Sequence, residues 1–164
     1  MVTTESLKDT VLDAAKEVFE SMVFTSLEES CAAVSPSDTA FLASITFHGD
    51  IQGCLSVHCD PPCARSIAAG MLCAGTGEEL GDGDIIDALG EVANMVMGGV
   101  KARIQDQIKN VEISIPSVIH GRELQSRPGE GTTRIGIPVT IGQQVPAQLS
   151  LLYRRHNSQE SLPE

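Results

Sequence analysis

The segment Asp84–Gln105, DIIDALGEVANMVMGGVKARIQ, determines the predicted architecture of this chain. At about 100° of rotation per residue, its large apolar side chains gather on one side of a helix. They are Ile85, Ile86, Leu89, Val92, Ala93, Val96, Met97, Val100 and Ile104. The segment therefore predicts one long amphipathic helix whose apolar side packs in the core.

The polar side of this helix carries few charges. It consists of Asp87, Glu91, Asn94, Gly98 and Lys101, at steps of four, three, four and three residues. Glu91 and Asn94 project from neighbouring turns, so both can reach a single partner group. A glycine in a helix interior costs about 1 kcal/mol relative to alanine, and such glycines commonly let another surface approach closely. We therefore expect Gly90, Gly98 and Lys101 to form a docking face around this pair.

Length and composition indicate one globular domain. A chain of 164 residues is about one domain, and we predict that it spans residues 1–155. The remaining residues, 156–164, have the polar sequence HNSQESLPE, which predicts a disordered tail. Hydrophobic residues make up 41% of the chain but aromatic residues only 3%, so we expect an aliphatic core.

The charge and the cysteines exclude several classes of function. A net charge of −11 repels phosphate backbones, which argues against a nucleic-acid partner. The sequence has no run of 18 apolar residues and no signal peptide, so we expect a cytoplasmic protein without membrane insertion. Its five cysteines form no CxxC pair, and their odd number fits a reducing compartment. Their spacing matches no zinc pattern, so we predict no metal site.

The remaining elements follow from periodicity and turn residues. We predict a helix over residues 5–24, strands at 39–47 and 51–59, a short helix after Asp60, the central helix, and strands at about 111–120, 132–141 and 145–154. The order αββααβββ indicates an α+β fold in which long amphipathic helices pack on a mostly antiparallel sheet.

A weak internal repeat suggests a pseudo-twofold domain. At an offset of 94 residues, ITFHGDIQGCLSV (45–57) aligns with VTIGQQVPAQLSL (139–151). At an offset of 74, the acidic residues of the first helix align with the polar stripe of the central helix: Asp13, Glu17 and Glu20 with Asp87, Glu91 and Asn94. The alternative is that two hairpins and two amphipathic helices share a pattern by chance.

The chemistry of Glu91 and Asn94 suits the positioning of a reacting group. A carboxamide both donates and accepts hydrogen bonds, so it can orient a water, but it cannot act as a general base. The adjacent carboxylate can pair with a lysine or arginine of a partner. Phosphoryl transfer depends mostly on positioning and charge stabilisation, so one inserted amide can matter greatly there. From the residues alone, a plain solvated helix face remains the alternative.

The motif DALGEVAN (87–94) resembles the (Asp/Ser)-x3-Glu-x2-Asn signature of the CheC/CheX/FliY phosphatases of bacterial chemotaxis. That signature ends with a proline a little over twenty residues later, and Pro116 follows Asn94 by 22 positions. The segments AAKEVFESM (14–22) and ITFHGDIQGCLSV (45–57) are also similar to CheX-type domains. The resemblance covers roughly residues 5–155 and agrees with the predicted element order.

The resemblance implies a phosphatase that acts on the phospho-aspartate of a CheY-type response regulator. Glu91 would contact the active-site lysine of the regulator, and Asn94 would orient the attacking water. The Mg²⁺ would belong to the regulator, so the chain would need no cofactor of its own. Asp87 would support the pair, and Pro116 would be structural, fixing the start of a strand near the helix.

The first helix departs from a second copy of the motif. Glu20 places a carboxylate where an amide is needed, and its charge would repel a phosphoryl group. We therefore expect a single-site, CheX-like member, and the resemblance implies a homodimer that pairs edge strands. Two alternatives remain: a non-catalytic adaptor that binds a response regulator or kinase, and a plain dimeric interaction domain with a solvated polar stripe.

Overall fold

An antiparallel sheet of seven strands forms the framework of the structure, a computed structural model that describes residues 2–32, 38–74, 79–142 and 145–155. The strands are β1 (Leu27–Glu29), β2 (Thr39–Gly49), β3 (Ile51–Cys59), β4 (Val111–Ile113), β5 (Ser117–Arg122), β6 (Thr133–Ile141) and β7 (Val145–Arg155). Their order is β1-β6-β7-β3-β2-β4, and β5 pairs with the other part of the same β2 edge that β4 occupies. The predicted α+β class is confirmed, and the predicted tail, 156–164, lies outside the described residues.

Three helices pack on one face of this sheet. They are α1 (Thr4–Val18), which a π-helical turn (Phe19–Val23) continues, α2 (Pro61–Met71) and α3 (Asp82–Ile104). Successive side chains of a strand point to opposite sides, and the odd-numbered side chains of β2, β3, β6 and β7 are buried in the core with the helices. The even-numbered side chains form a second face, which we call the open face.

The strand register supports a pseudo-twofold axis between β3 and β7. Ser56 and Ser150, which the repeat aligns at an offset of 94, lie directly opposite each other in this ladder. The strands that precede them, β2 and β6, align at a different offset. Ile45 of β2 pairs with Leu55, and Ile137 of β6 pairs with Leu149, the residue that the repeat aligns with Leu55. The offset is therefore 149 − 55 = 94 for β3 and β7 but 137 − 45 = 92 for β2 and β6. The second hairpin has a turn that is two residues longer, so a constant offset is wrong for the first strands.

The first helix ends differently from the regular helix predicted over residues 5–24. Its last turn, Phe19–Val23, is π-helical, and Phe24 then adopts a left-handed conformation with φ of 59°. A π-turn holds one extra residue and rotates the side chains that follow it. Continued α-helical spacing from Ala15 and Val18 would point Met22 into the core, but in the structure Met22 is 44% exposed and Val23 is buried in its place.

Local capping fixes where α2 and α3 begin. Asp60 caps α2, and its Oδ1 accepts a hydrogen bond from the backbone N–H of Cys63 at 2.9 Å. Gly81 is the N-cap of α3, and Oδ2 of Asp84 accepts from the Gly81 backbone N–H at 3.1 Å. The helix therefore begins two residues before the predicted Asp84, and this carboxylate supplies the N3 half of a capping box, since Gly81 has no side chain to supply the other half.

Candidate functional site

The polar side of α3 lies at the surface as predicted. Asp87, Glu91 and Gly98 are exposed, and Asn94 and Lys101 are half-buried. The opposite side anchors the helix in the core through Ile85, Leu89, Val92, Ala93, Val96, Met97, Val100 and Ile104, all buried. Since a residue three positions on lies about one turn away on the same face, the burial of this apolar side fixes Glu91 and Asn94 side by side at the surface.

The side chains of this polar stripe are free to bind a partner. Among the described residues, no hydrogen bond or ion pair engages the side chain of Asp87, Glu91, Asn94 or Lys101. A carboxylate and an amide that lie side by side without internal partners keep all their donors and acceptors available. The geometry therefore fits recognition of a cation by Glu91 and of a small polar group by Asn94.

Pro116 packs against α3 at Gly90, the residue before Glu91. A β-carbon placed on Gly90 would lie 3.6 Å from Cγ of Pro116 and 3.6 Å from Cγ2 of Val118. The strand therefore approaches the helix backbone immediately before Glu91. Pro116 comes directly before β5, so it stands where a structural proline at a strand start was expected.

A one-residue bulge produces this approach. Phe47 of β2 pairs with Ile113 of β4, and Ser44 of β2 pairs with Ser117 of β5. Three residues lie between Ile113 and Ser117, but only two lie between Ser44 and Phe47, so the chain bulges by one residue. Ser114 fixes the bulge: its N–H donates to the Thr46 carbonyl at 2.9 Å and its Oγ accepts from the Thr46 N–H at 3.1 Å. The sequence predicted one strand over residues 111–120, which the structure divides at this point.

Ile115, in the middle of the bulge, is a surface residue that the sequence reasoning missed. It is 88% exposed, the largest value among the exposed large hydrophobic residues described. Its neighbour Pro116 packs beside Gly90, so Ile115 belongs to the segment that meets α3 at the residue before Glu91. The signal in the sequence is an isoleucine between serine and proline, a position where strand alternation breaks down.

Gly98, at the far end of the stripe, and the adjacent Gly99 have different surroundings. Among the described residues, no atom outside the neighbouring helix backbone lies within 4 Å of a β-carbon placed on Gly98. A β-carbon on Gly99 would lie 3.1 Å from Cβ of Ala14, where α1 crosses α3. Gly99 therefore serves helix packing, whereas Gly98 leaves the surface flat one turn after Asn94.

The acidic residues of the first helix do not form an equivalent free pair. The Glu17 carboxylate, which the repeat aligns with Glu91, forms an ion pair with Arg103 of α3. Arg103 also donates from Nη1 to the Gly99 carbonyl at 3.0 Å, so it is held in place. Glu20 lies in the π-helical turn, which changes the rotation from one residue to the next. Glu17 and Glu20 therefore do not reproduce the relative direction of Glu91 and Asn94. Both features weigh against a second site.

Other chemistry is limited in the described part of the chain. No group of three or more His, Cys, Asp or Glu residues there could hold a metal ion. All five cysteines are free, and Cys59 and Cys63 are buried. A hydrogen bond with Cys63, together with burial, raises the pKa of the Cys59 thiol, so this thiol stays protonated and unreactive. No described helix is long and apolar enough to cross a membrane.

Comparisons with known proteins agree on one family. Residues 41–140 match the family model described as chemotaxis phosphatase CheX. The crystal structure of the chemotaxis protein CheX from Vibrio vulnificus is similar, with a TM-score of 0.75 and 22% identity, covering 94% of this chain and 100% of that one. A putative chemotaxis protein from Desulfovibrio vulgaris Hildenborough gives a TM-score of 0.76 and 23% identity, with the same coverage.

A third similar structure contains a partner. It is the CheX–CheY–BeF3–Mg²⁺ complex from Borrelia burgdorferi, with a TM-score of 0.72 and 17% identity, covering 90% of this chain and 97% of that one. At these identities the structures establish a shared fold. No curated protein sequence matches the chain at a significant level.

Proposed function

The chain belongs to the CheX family of chemotaxis phosphatases, and we propose that it hydrolyses the aspartyl phosphate of a CheY-type response regulator. The observation that carries this proposal is the exposed pair Glu91 and Asn94, whose side chains have no partner among the described residues. The spacing of the pair matches the signature that the sequence resembles. Its rigid support by α3 suits a site that must place groups accurately.

Glu91 anchors the chain to the regulator in this proposal. Its carboxylate pairs with the lysine that contacts the phosphoryl group in the regulator's active site. An ion pair that a partner covers is less screened by salt than an exposed one, and removing one member leaves the other charge covered and unpaired, which costs binding energy. Asp87, one turn earlier on the same face, adds negative potential that favours the same cation.

Asn94 supplies the positioning of water. Its amide oxygen accepts a hydrogen bond from the water and holds the water oxygen in line with the bond between phosphorus and the aspartate oxygen. The water oxygen forms a bond to phosphorus, and the bond to the aspartate oxygen breaks. The products are the aspartate carboxylate and inorganic phosphate, and the water's proton passes to phosphate or bulk solvent. Asn94 itself gains and loses no proton.

We expect the chain to bring no metal or cofactor to this reaction. The regulator binds the Mg²⁺, which neutralises charge on the phosphoryl oxygens. The presence of CheY, BeF3 and Mg²⁺ together in the Borrelia burgdorferi CheX complex supports this division of roles. The exposed Ile115 beside Pro116 supports docking of a protein partner, because an isolated apolar side chain at a polar site gains by being covered.

We further propose that the chain is a homodimer. In the described residues, β5 pairs on one side only, with β2, and an unpaired edge is a template for another strand. Ile119 in β5 is 49% exposed, which favours covering of this edge. Light scattering during gel filtration tests this, since a dimer has about twice the chain mass of 17.4 kDa. A monomer mass at micromolar concentration would contradict it.

The phosphatase proposal is tested by the decay of a phosphorylated CheY-type regulator with Mg²⁺ present. The wild-type protein should accelerate decay, and Glu91→Ala should remove most of the acceleration. Glu17→Ala is the matched control, because it removes an aligned carboxylate that α3 already engages. Glu17→Ala should leave turnover unchanged. It should lower the free energy of unfolding by at most about 1 kcal/mol, the usual contribution of an exposed ion pair.

Two results would count against the proposal. Binding of the regulator without faster decay indicates a non-catalytic adaptor. Equal losses of activity in Glu91→Ala and Glu17→Ala indicate that neither side chain contacts the regulator directly and that both act through helix stability.

A further inference from the structure

Two cavities lie over the open face of the sheet, opposite the helices and the phosphatase site. The first has a volume of 270 Å³, and Arg134 and His58 are among its lining residues. The second has a volume of 300 Å³ and is lined by Arg127 and Arg154. The segment 124–132 contributes to both, so they are neighbours along one connection. The phosphatase proposal uses neither cavity.

The charge of these cavities is opposite to that of the chain. The sequence has 22 acidic and 11 basic residues, yet no Asp or Glu lines either cavity. Among the described residues, Arg127, Arg134 and Arg154 form no ion pair with a carboxylate. Three arginines that lack counter-ions on one face of an acidic protein make a local positive potential, which attracts anions.

The second cavity has pre-organised hydrogen-bond donors. With the Gln52 amide oriented so that its oxygen faces Arg154, that oxygen accepts hydrogen bonds from Nε and Nη2, which hold this guanidinium over the sheet. Arg127 and Thr132 line the same cavity from the segment above it. A guanidinium presents its donors in a planar fork that matches the oxygens of a phosphate or carboxylate. A fixed Arg154 loses less entropy on binding such a group than a mobile arginine would.

We propose that the cavity between Arg127 and Arg154 binds a small dianion, with its phosphate or paired carboxylate groups between the two guanidinium groups. Two arginines balance two negative charges, and the Thr132 hydroxyl adds a donor at the cavity wall. The volume of 300 Å³ lies at the lower end of small-molecule sites, about 300–1,000 Å³. The ligand is therefore a compact molecule rather than a polymer.

Titration calorimetry with the full chain tests this site. Inorganic phosphate and succinate serve as separate probes, and tighter binding of one identifies phosphate or paired carboxylates as the preferred group. Arg127→Gln and Arg154→Gln should each weaken binding by about tenfold, the usual effect of losing a hydrogen bond to a charged group. Arg65→Gln is the control, because Arg65 is exposed on α2 and lines neither cavity.

The location of binding is tested independently by amide NMR shifts. Phosphate or succinate should shift the resonances of Gly129 and Thr132, while the polar face of α3 stays unchanged. Regulator hydrolysis without added anion should be the same in Arg127→Gln and Arg154→Gln as in wild type, since both residues lie away from α3. No binding of either probe at millimolar concentration, shifts confined to other residues, or equal weakening by Arg65→Gln would each overturn the proposal.

Discussion

Replacing Gly98 by alanine should make the protein more stable and less active. In an exposed helix interior, alanine is favoured over glycine by about 1 kcal/mol. A methyl group on Gly98 meets no described atom within 4 Å outside the neighbouring helix backbone, so no other element of the described fold opposes that gain. For a domain of this size, the melting temperature should rise by about 2–4 °C.

The same methyl group should impair regulator binding if Gly98 belongs to the docking face. Gly98 follows Asn94 by four residues, which places it about 6 Å further along the helix on the same side. Overpacking a close contact typically costs about 1–3 kcal/mol. At the lower limit this corresponds to about a fivefold loss in kcat/KM, and we expect it mainly in KM.

Gly99 provides the matched comparison. Its β-carbon would lie 3.1 Å from Cβ of Ala14 and 3.2 Å from Nη1 of Arg103, so alanine forces α1 to move. The helix gain is then offset by overpacking, and Gly99→Ala should be between neutral and about 2 kcal/mol destabilising. Urea denaturation and phosphatase kinetics on both variants provide the measurements.

The stability and the kinetics of these variants test helix packing and regulator docking separately. A lower stability of Gly98→Ala would show that this glycine has a structural role that the open surroundings do not suggest. Higher stability with unchanged kcat/KM would remove Gly98 from the docking face. Equal stability changes in Gly98→Ala and Gly99→Ala would contradict the assignment of Gly99 to the contact between α1 and α3.

Three further predictions follow from single contacts. Ile115→Ser should raise KM for the regulator with kcat and oligomeric mass unchanged; an unchanged KM would place Ile115 outside the interface. Burial lowers the pKa of His58 below its usual 6.5, so the unfolded chain binds the proton more tightly than the folded one. The free energy of unfolding should therefore fall as pH drops through about 6.5, and His58→Gln should make this decline shallower. Parallel pH curves of stability for the variant and wild type would refute the role of His58. Glu20→Asn should create no second active site, because Glu17 is paired with Arg103; activity remaining in the Glu91→Ala background would contradict this.

The long central helix was predictable because its periodicity is continuous. Core residues from Ile85 to Ile104 recur at helical spacing, and burial follows this pattern with Ile86 only half-buried. The polar stripe could be found for the same reason, since a helix fixes which residues share a face. Its functional meaning required the resemblance to a family, because an exposed polar face by itself is ordinary.

The missed features arise where tertiary contacts override local pattern. The π-helical turn at Phe19–Val23 has no propensity signal, and it exchanges Met22 for Val23 in the core. The three residues of β1 are too few to show alternation, and they form a strand because β6 offers an edge. The bulge at Ser114 depends on hydrogen bonds to Thr46, 68 residues earlier in the chain, which no local window can detect.

The role of Asn94 in placing water is tested by single-turnover dephosphorylation with saturating Asn94→Ala, measured together with the affinity of this variant for the regulator. If the amide positions the attacking water, the rate constant should fall at least about 100-fold, while the Kd changes only a few-fold because Glu91 still anchors the complex. A rate constant close to that of wild type at saturation would contradict the account, since hydrolysis would then need no group at position 94.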